Sequence, residues 1–207
     1  MSAPGYRLLE LACPACGAGL EAEGGDVIYY CVACRNGHLL EEAAGRLAPV
    51  EVAFAVAPSR PAERHLPFWL LPAEIDIQER VAGGGGGLGR VLQALFGSAA
   101  EPAGKASGTF AVPAFECDLE RRVRLTARFT AELPRLGERL GEKLTGGTLT
   151  PADARKLAEF TLLAEEAGRP DTLRTLRYEL RFGEPRLFGV PFARADGGVL
   201  ADAFFGL

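Results

Sequence analysis

Four of the five cysteines in this chain form two pairs near its N-terminus, and each pair has the form Cys-x-x-Cys. Thiolates are strong ligands for Zn²⁺, and two intervening residues let one tight turn present both sulfurs to the same ion. Two such pairs supply the four sulfurs of a closed tetrahedral shell. The spacing therefore predicts one structural Zn²⁺ whose ligands are Cys13, Cys16, Cys31 and Cys34.

Other uses of paired cysteines fit this sequence less well. Disulfide bonds need an oxidising compartment, and the N-terminus lacks the basic-then-apolar layout of an export signal. A redox-active Cys-x-x-Cys normally occurs once, in a βαβ setting. Catalytic zinc keeps an open coordination position, which four thiolates close. An iron centre would use the same ligands, so the choice between zinc and iron stays open.

The residues around the cysteines predict the turns and strands that would hold them. Gly17 follows the first pair, where the turn needs a residue that tolerates positive φ, and Asn36-Gly37 is expected to serve the second turn in the same way. Residues 27–30 (Val-Ile-Tyr-Tyr) indicate a short strand that leads into the second pair. Over residues 8–47 the sequence resembles the rubredoxin-like zinc-ribbon family. The resemblance implies a structural metal and a small platform for contact with protein or nucleic acid.

Four residues outside the predicted ligand set have a structural and a functional interpretation. His38 could replace a cysteine as a ligand, but with four thiolates available we expect it to hydrogen-bond beside the metal or to face solvent. Cys117 stands alone among β-type residues, where a cysteine is usually a small buried hydrophobe. Tyr29 and Tyr30 could stack on nucleic-acid bases, but tyrosines beside a metal site more often pack in the small core.

The remainder of the chain predicts an antiparallel sheet. Strands are indicated by alternating or β-rich runs at 50–57, 65–77, 109–117, 177–182, 186–193 and 198–205. The last three should form a meander, with turns at 183–185 and 195–198. The sequence thus predicts that the chain returns on itself twice near its end.

A helical segment is predicted between these strands. Thr150-Pro151 begins a helix that runs to about residue 167, because proline suits the first helical position. The spacing of Leu136, Leu140 and Leu144 predicts another helical stretch. Residues 118–130 fit a strand by alternation and a helix by their N-cap residue, Asp118, so that choice stays open.

Glycine interrupts the chain between two strand-like runs. Residues 83–108 contain five consecutive glycines and predict a flexible insertion, and apolar spacing predicts a short helix at 88–96 within it. That helix would fold back on its own domain or dock on a partner, and the order of the insertion stays open. We therefore expect an α+β protein with a zinc ribbon at 1–47 and an α+β domain at 48–207.

Two apolar segments extend the resemblance beyond the ribbon. Leu66-Pro67-Phe68-Trp69 and residues 187–192 (Leu-Phe-Gly-Val-Pro-Phe) look similar to segments of small bacterial proteins that join an N-terminal zinc ribbon to a β-rich domain. This resemblance implies a bacterial protein of the same layout and implies no activity.

Charge and hydropathy narrow the class of partner. The chain has a net charge of −4, and residues 1–60 hold more acidic than basic side chains, which disfavours contact with nucleic-acid phosphates. No apolar run has the length of a membrane span, so we expect a cytoplasmic protein.

Catalytic motifs are absent from the sequence. His65 could form a dyad with Glu63 or Asp76, but such pairs are usually accidents of a surface. The sequence contains no HExxH, GxSxG or EF-hand pattern, and no small-molecule substrate is evident. We expect a non-catalytic adaptor that binds another protein. A nucleic-acid-binding protein of transcription or replication is the alternative, and a hydrolytic enzyme with an unrecognised site is the third.

Overall fold

The computed structural model describes residues 11–56, 62–83, 104–137, 143–167, 172–194 and 200–207. Within them the elements, in chain order, are β1 (Ile28–Cys31), β2 (Asn36–Glu41), β3 (Arg46–Val50), β4 (Val52–Ala55), β5 (Arg64–Gly83), β6 (Gly104–Pro113), α1 (Leu119–Ala131), β7 (Leu136–Gly137), α2 (Pro151–Ala167), β8 (Thr172–Phe182), β9 (Arg186–Arg194) and β10 (Leu200–Asp202). Strands with two helices agree with the predicted α+β class. Neither described helix has the length and apolar character needed to cross a membrane.

The smaller of two sheets carries the paired cysteines. Its order is β1-β2-β3, and both pairings are antiparallel. The strand predicted at 27–30 is confirmed as β1, which ends at Cys31 and pairs Tyr29 with His38. The second cysteine pair therefore begins at the end of β1 and is completed in the turn before β2.

Within the described residues, the larger sheet has seven strands, arranged around the long strand β5. Its order is β6-β5-β9-β4-β7, with β8 also on β5 and β10 on β9. Strand β5 contains 20 residues, which lets it pair with β6, β8 and β9. The predicted antiparallel arrangement is wrong at one place, since β4 and β9 run parallel. Parallel neighbours need a long connection between them, and a pattern confined to either strand does not reveal it.

The predicted turn at 183–185 does not produce a hairpin. Strands β8 and β9 instead follow one another along the same side of β5, where Phe182 pairs with Ala73 and Arg186 pairs with Leu70. Residues 183–185 lie opposite only two residues of β5, one of which is Pro72. The segment is a bulge-like interruption, because proline has no N–H for a ladder hydrogen bond. The final pairing of the predicted meander is confirmed by β9 and β10, while residues 195–199 lie outside the described residues.

Both helices begin at side-chain caps. The open choice at 118–130 is a helix, α1, whose first turn is fixed by the Asp118 carboxylate accepting from the Arg121 N–H at 2.8 Å. The helix predicted from Pro151 is confirmed as α2, where the Thr150 hydroxyl oxygen accepts from the Asp153 N–H at 3.2 Å. The N-cap residue Asp118 thus indicated the correct structure of 118–130, although alternation favoured a strand.

The helical stretch predicted from three spaced leucines is wrong where the structure describes it. Leu136 begins β7 and pairs with Ala55, while Leu144 forms an isolated bridge with His65. Leu140 lies outside the described residues. Pairing with β4 outweighs the local helical spacing, because tertiary context can override a helix pattern this short.

The two helices contribute mainly to different core clusters of the large sheet, although Ala127 of α1 also lies in the cluster that holds α2. Alternate residues of β5 point to opposite sides, so Trp69 lies in the core cluster with α2 and Phe68 lies in the cluster with Phe129 of α1. Helix α1 also covers the edge strand β6, because the Thr130 hydroxyl accepts from the backbone N–H of Ala111 at 3.1 Å. This contact satisfies a donor that an edge strand would otherwise leave unpaired.

The structure bears only in part on the predicted domain boundary and on the predicted insertion at 83–108. The predicted boundary between residues 47 and 48 stays a prediction, and β3 (Arg46–Val50) runs across it. Strands occupy both ends of the predicted insertion, since β5 extends to Gly83 and β6 begins at Gly104. The helix predicted at 88–96 lies outside the described residues.

Candidate metal centre

The four predicted ligands meet at one point of the small sheet. Their sulfur atoms all lie within 4.8 Å of one another. The Cys13 and Cys34 sulfurs are 3.5 Å apart, and the Cys16 and Cys31 sulfurs are 3.6 Å apart. Among the described residues, no other group of three or more metal-ligating side chains comes together in this way. The tetrad could hold one metal ion.

The distances between sulfurs fit a tetrahedral ion. Thiolates at the usual Zn–S distance of about 2.3 Å stand about 3.8 Å apart around one Zn²⁺. The separations of 3.5 and 3.6 Å fall within a few tenths of an ångström of that value. All four cysteines are free thiols, and their sulfurs are too far apart for a disulfide bond of about 2 Å.

Two matching turns present the sulfurs. We call residues 13–17 the first knuckle and residues 31–35 the second knuckle. In each, the residue after the second cysteine donates its backbone N–H to the carbonyl of the first: Gly17 to Cys13 at 2.8 Å and Arg35 to Cys31 at 2.7 Å. Both donors have positive φ, +75° for Gly17 and +60° for Arg35. The predicted role of Gly17 is confirmed.

The predicted role of Asn36-Gly37 in the second turn is wrong. Arg35 takes the left-handed conformation, while Gly37 lies inside β2. Gly37 serves packing instead, because a Cβ at that position would lie 2.3 Å from the Val52 side chain. Gly37 is typical of a turn, but the residue with positive φ in this turn is Arg35, two positions earlier.

Two side chains approach the sulfurs from outside the tetrad. The Asn36 amide donates to the Cys34 sulfur at 3.3 Å, and the His38 Nε2 atom lies 3.2 Å from the Cys13 sulfur. His38 is 2% exposed, so the sequence interpretation as a hydrogen-bonding neighbour is confirmed and the solvent-facing one is wrong. The contact of Asn36 with sulfur was not predicted. Its position two residues after Cys34 is the signal that could have indicated it.

The environment shifts the pKa values of the thiols in different directions. A hydrogen bond from the Cys34 backbone N–H lowers the pKa of Cys31 to about 7, whereas burial raises the pKa of Cys13. The Ala18 backbone N–H lowers the pKa of Cys16, but hydrogen bonds with neighbouring thiols outweigh it and raise that pKa to about 12. Burial also lowers the pKa of His38, which favours its neutral form. Metal binding to this centre must therefore displace protons.

The residues considered for a catalytic dyad are engaged elsewhere. His65 is buried, and its ring meets the Phe54 ring edge-on at 5.3 Å between centroids. Glu63 binds the Arg194 side chain at 3.3 Å, and Asp76 lies further along β5, 3.6 Å from Lys105.

The tyrosines and the fifth cysteine have packing roles. Tyr29 and Tyr30 are both buried, with the Tyr29 hydroxyl donating to the Asp26 carbonyl at 2.7 Å and the Tyr30 ring packed edge-on against Phe54. Cys117 is half-buried against the core cluster beneath α1. The packing interpretation of all three residues is confirmed.

Comparison with known proteins gives no relative for this chain. No protein-family model, no curated protein and no solved structure matches it significantly. The four-sulfur centre and the surfaces around it therefore carry the functional argument.

Proposed function

We propose that this chain binds one structural Zn²⁺ through Cys13, Cys16, Cys31 and Cys34 and acts as a non-catalytic adaptor for another protein. The observation that supports the metal is the group of four sulfurs within 4.8 Å. Four thiolates fill the shell of a tetrahedral ion and leave no position for a reactive water. Such a centre stabilises a fold and supplies no chemistry of its own.

Around the knuckles the small sheet has few buried residues of its own, although Val27, Ile28 and Tyr30 pack in the core of the larger sheet. The local core cluster of the small sheet consists of Cys13, Leu20, Tyr29 and Cys31, so two of the four buried residues are themselves proposed ligands. A unit of this size buries too little apolar surface for much stability. Metal binding would add the free energy that the packing lacks.

The knuckles supply an apolar surface for a protein partner. Val32 is 55% exposed at the tip of the second knuckle, although it is a large aliphatic residue. Pro14, Ala15 and Ala33 are exposed on the two knuckles as well. Rigid turns that display small apolar side chains suit docking on a protein, because little conformational entropy is lost on binding.

Nucleic-acid binding stays an alternative with less support. The ribbon segment carries net negative charge, and four thiolates with one Zn²⁺ would add a further charge of −2. Buried Tyr29 and Tyr30 offer no exposed ring on which a base could stack. A hydrolytic enzyme stays the third alternative, for which no described group of side chains supplies an assembled acid, base and nucleophile.

The metal is tested by elemental analysis of the purified protein. We expect one zinc atom per chain in the wild type and in Cys117→Ser, and none in Cys31→Ser. Cys117→Ser is the matched control, since it removes a thiol that lies outside the tetrad. Iron in place of zinc would decide the choice of metal, and full metal content in Cys31→Ser would contradict the ligand set.

The adaptor role is tested by affinity capture with and without nuclease. Val32→Asp places a charge on the knuckle tip without removing a ligand, and Leu133→Asp makes the same change at another exposed residue. We expect specific proteins to bind wild type and Leu133→Asp, to resist nuclease and to be lost with Val32→Asp. Binding that collapses with nuclease would favour the nucleic-acid alternative.

A further inference from the structure

We propose that His38 is a positioning residue of the metal centre, which donates its Nε2–H to the metal-bound thiolate of Cys13. The inference rests on the proposed zinc site and adds a residue that is not a ligand. The contact itself is the 3.2 Å approach of Nε2 to the Cys13 sulfur. His38 lies outside the four-sulfur group, so it acts on the metal through Cys13.

The strand β2 places two donors beside the sulfurs. Side chains at alternate positions of a strand share one face, so Asn36 and His38 point to the same side of β2. Asn36 donates to Cys34 in the second knuckle, and His38 contacts Cys13 in the first knuckle. One strand thus approaches both knuckles with N–H groups.

The surroundings of His38 decide which ring nitrogen carries the proton. A metal-bound thiolate can only accept a hydrogen bond, so Nε2 must be the protonated nitrogen. Nδ1 is buried and has no hydrogen-bond partner. An imidazolium would bury an unpaired N–H and a positive charge at that position, whereas the neutral ring leaves only an unpaired acceptor. The neutral Nε2–H tautomer therefore fits both nitrogens.

The hydrogen bond would stabilise the charge on the sulfur. Zn²⁺ with four thiolates carries a net charge of −2, and each N–H that points at a sulfur offsets part of it. Donors around a metal site also fix the orientation of its ligands, and their loss typically costs about 10–100-fold in metal affinity. His38 would thus strengthen the centre without occupying a coordination position.

Two variants separate the donor from the bulk of the ring. His38→Phe keeps a ring of similar size without an N–H, and His38→Gln keeps an N–H that can reach the sulfur. We expect His38→Phe to bind one Zn²⁺ about 10–100-fold more weakly in competition with a chelator, with His38→Gln near the wild type. In the Co²⁺-substituted protein, His38→Phe should move the thiolate-to-metal charge-transfer band to longer wavelength. His65→Phe, at the other histidine, should change neither measurement.

A measurement on the wild-type chain avoids any dependence on folding of the variants. In the ¹¹³Cd-substituted protein we expect scalar coupling between the His38 Hε2 proton and the metal, transmitted through the N–H···S bond. Absence of that coupling, or wild-type affinity and charge-transfer energy in a folded His38→Phe, would overturn the inference. Failure of the wild type to bind any metal would instead contradict the proposed function.

Discussion

Ile28 and Gly147 hydrogen-bond to each other through both of their backbone groups. The Ile28 N–H donates to the Gly147 carbonyl at 2.9 Å, and the Gly147 N–H donates to the Ile28 carbonyl at 3.3 Å. Ile28 belongs to β1, beside the second knuckle, and its fully buried side chain lies in the same core cluster as Trp69. This pair ties the cysteine-bearing sheet to the core of the larger one.

The close approach of these residues predicts that Gly147→Ala destabilises the protein. A Cβ at residue 147 would lie 2.9 Å from the Ile28 side chain, from Pro67 and from the Ala114 carbonyl. We expect a loss of about 1–3 kcal/mol in the free energy of unfolding, the usual cost of an overpacked core position. Urea unfolding followed by the fluorescence of Trp69, the single tryptophan, measures it. Gly24→Ala has no atom within 4 Å of its Cβ and should change little.

Removal of the metal should lower the thermal stability of the core of the larger sheet. Because Ile28 and Trp69 share a core cluster, chelation is expected to lower the midpoint of thermal unfolding that Trp69 fluorescence reports. Cys31→Ser should show the lower midpoint without chelator, and Cys117→Ser should respond as the wild type does. An unchanged Trp69 midpoint after complete removal of the metal would show instead that residues 1–47 unfold independently of residues 48–207.

The pKa values of the thiols predict how zinc binding depends on pH. Cys31, with its pKa of about 7, is about nine-tenths protonated at pH 6 and about one-tenth protonated at pH 8. Zinc binding should therefore release fewer protons from this residue at pH 8 than at pH 6. Because protons compete with the metal, the apparent affinity should rise with pH. Calorimetry in buffers of different ionisation enthalpy counts the protons, and a release that is equal at both pH values would contradict the prediction.

The two knuckles should respond in opposite ways to substitution at their left-handed residues. Gly17→Ala places a side chain at φ +75° and should cost about 1 kcal/mol in the free energy of unfolding of the metal-loaded protein. Arg35→Gly relieves the same strain at φ +60° and should gain up to about 1 kcal/mol. Chemical unfolding of both variants measures the difference. Equal effects of the same sign would show that backbone strain does not control the knuckles.

Two buried threonines of α1 test the hydrogen bond between this helix and the edge strand β6. The Thr130 hydroxyl makes that bond, and the Thr126 hydroxyl makes none within the described residues. Thr130→Val leaves the buried Ala111 N–H without its acceptor and should cost about 1–3 kcal/mol in the free energy of unfolding. Thr126→Val should be neutral or slightly stabilising, because the Thr126 hydroxyl is buried without a hydrogen-bond partner. Thr130→Ser, which keeps the hydroxyl, is the control. Equal losses for both valine variants would mean that size and not the hydrogen bond matters at residue 130.

Features set by neighbouring residues were predictable from the sequence. The four cysteines, Gly17 and the start of α2 at Pro151 depend on spacings of a few residues, and all are found where expected. The same holds for β1 beside the second cysteine pair. Each of these features is fixed by a turn or a cap whose residues lie next to one another in the chain.

Features set by distant partners were not predictable. Gly183 and its neighbours have the composition of a hairpin turn, but they oppose Pro72 in β5 and continue along it. The spacing of Leu136 from the later leucines is typical of a helix, but Leu136 lies in β7 and pairs with Ala55 of β4. The sequence indicated that His38 could hydrogen-bond beside the metal, but it did not indicate that the partner would be Cys13 of the first knuckle, 25 residues away. In each case the partner lies elsewhere in the chain, where local periodicity carries no information about it.

The length of β5 has a consequence for how the chain acquires its structure during synthesis. Its neighbours β8 and β9 come from the last part of the described chain. Phe68 can therefore pair only after Phe188 has been synthesised, and Ala73 only after Phe182. Contacts of such high sequence separation slow folding. Until β8 and then β9 have been synthesised, the corresponding parts of this edge of β5 have no partner strand. The apolar residues of β5, among them Phe68 and Trp69, therefore stay open to intermolecular contacts longer than the local turns and helices do.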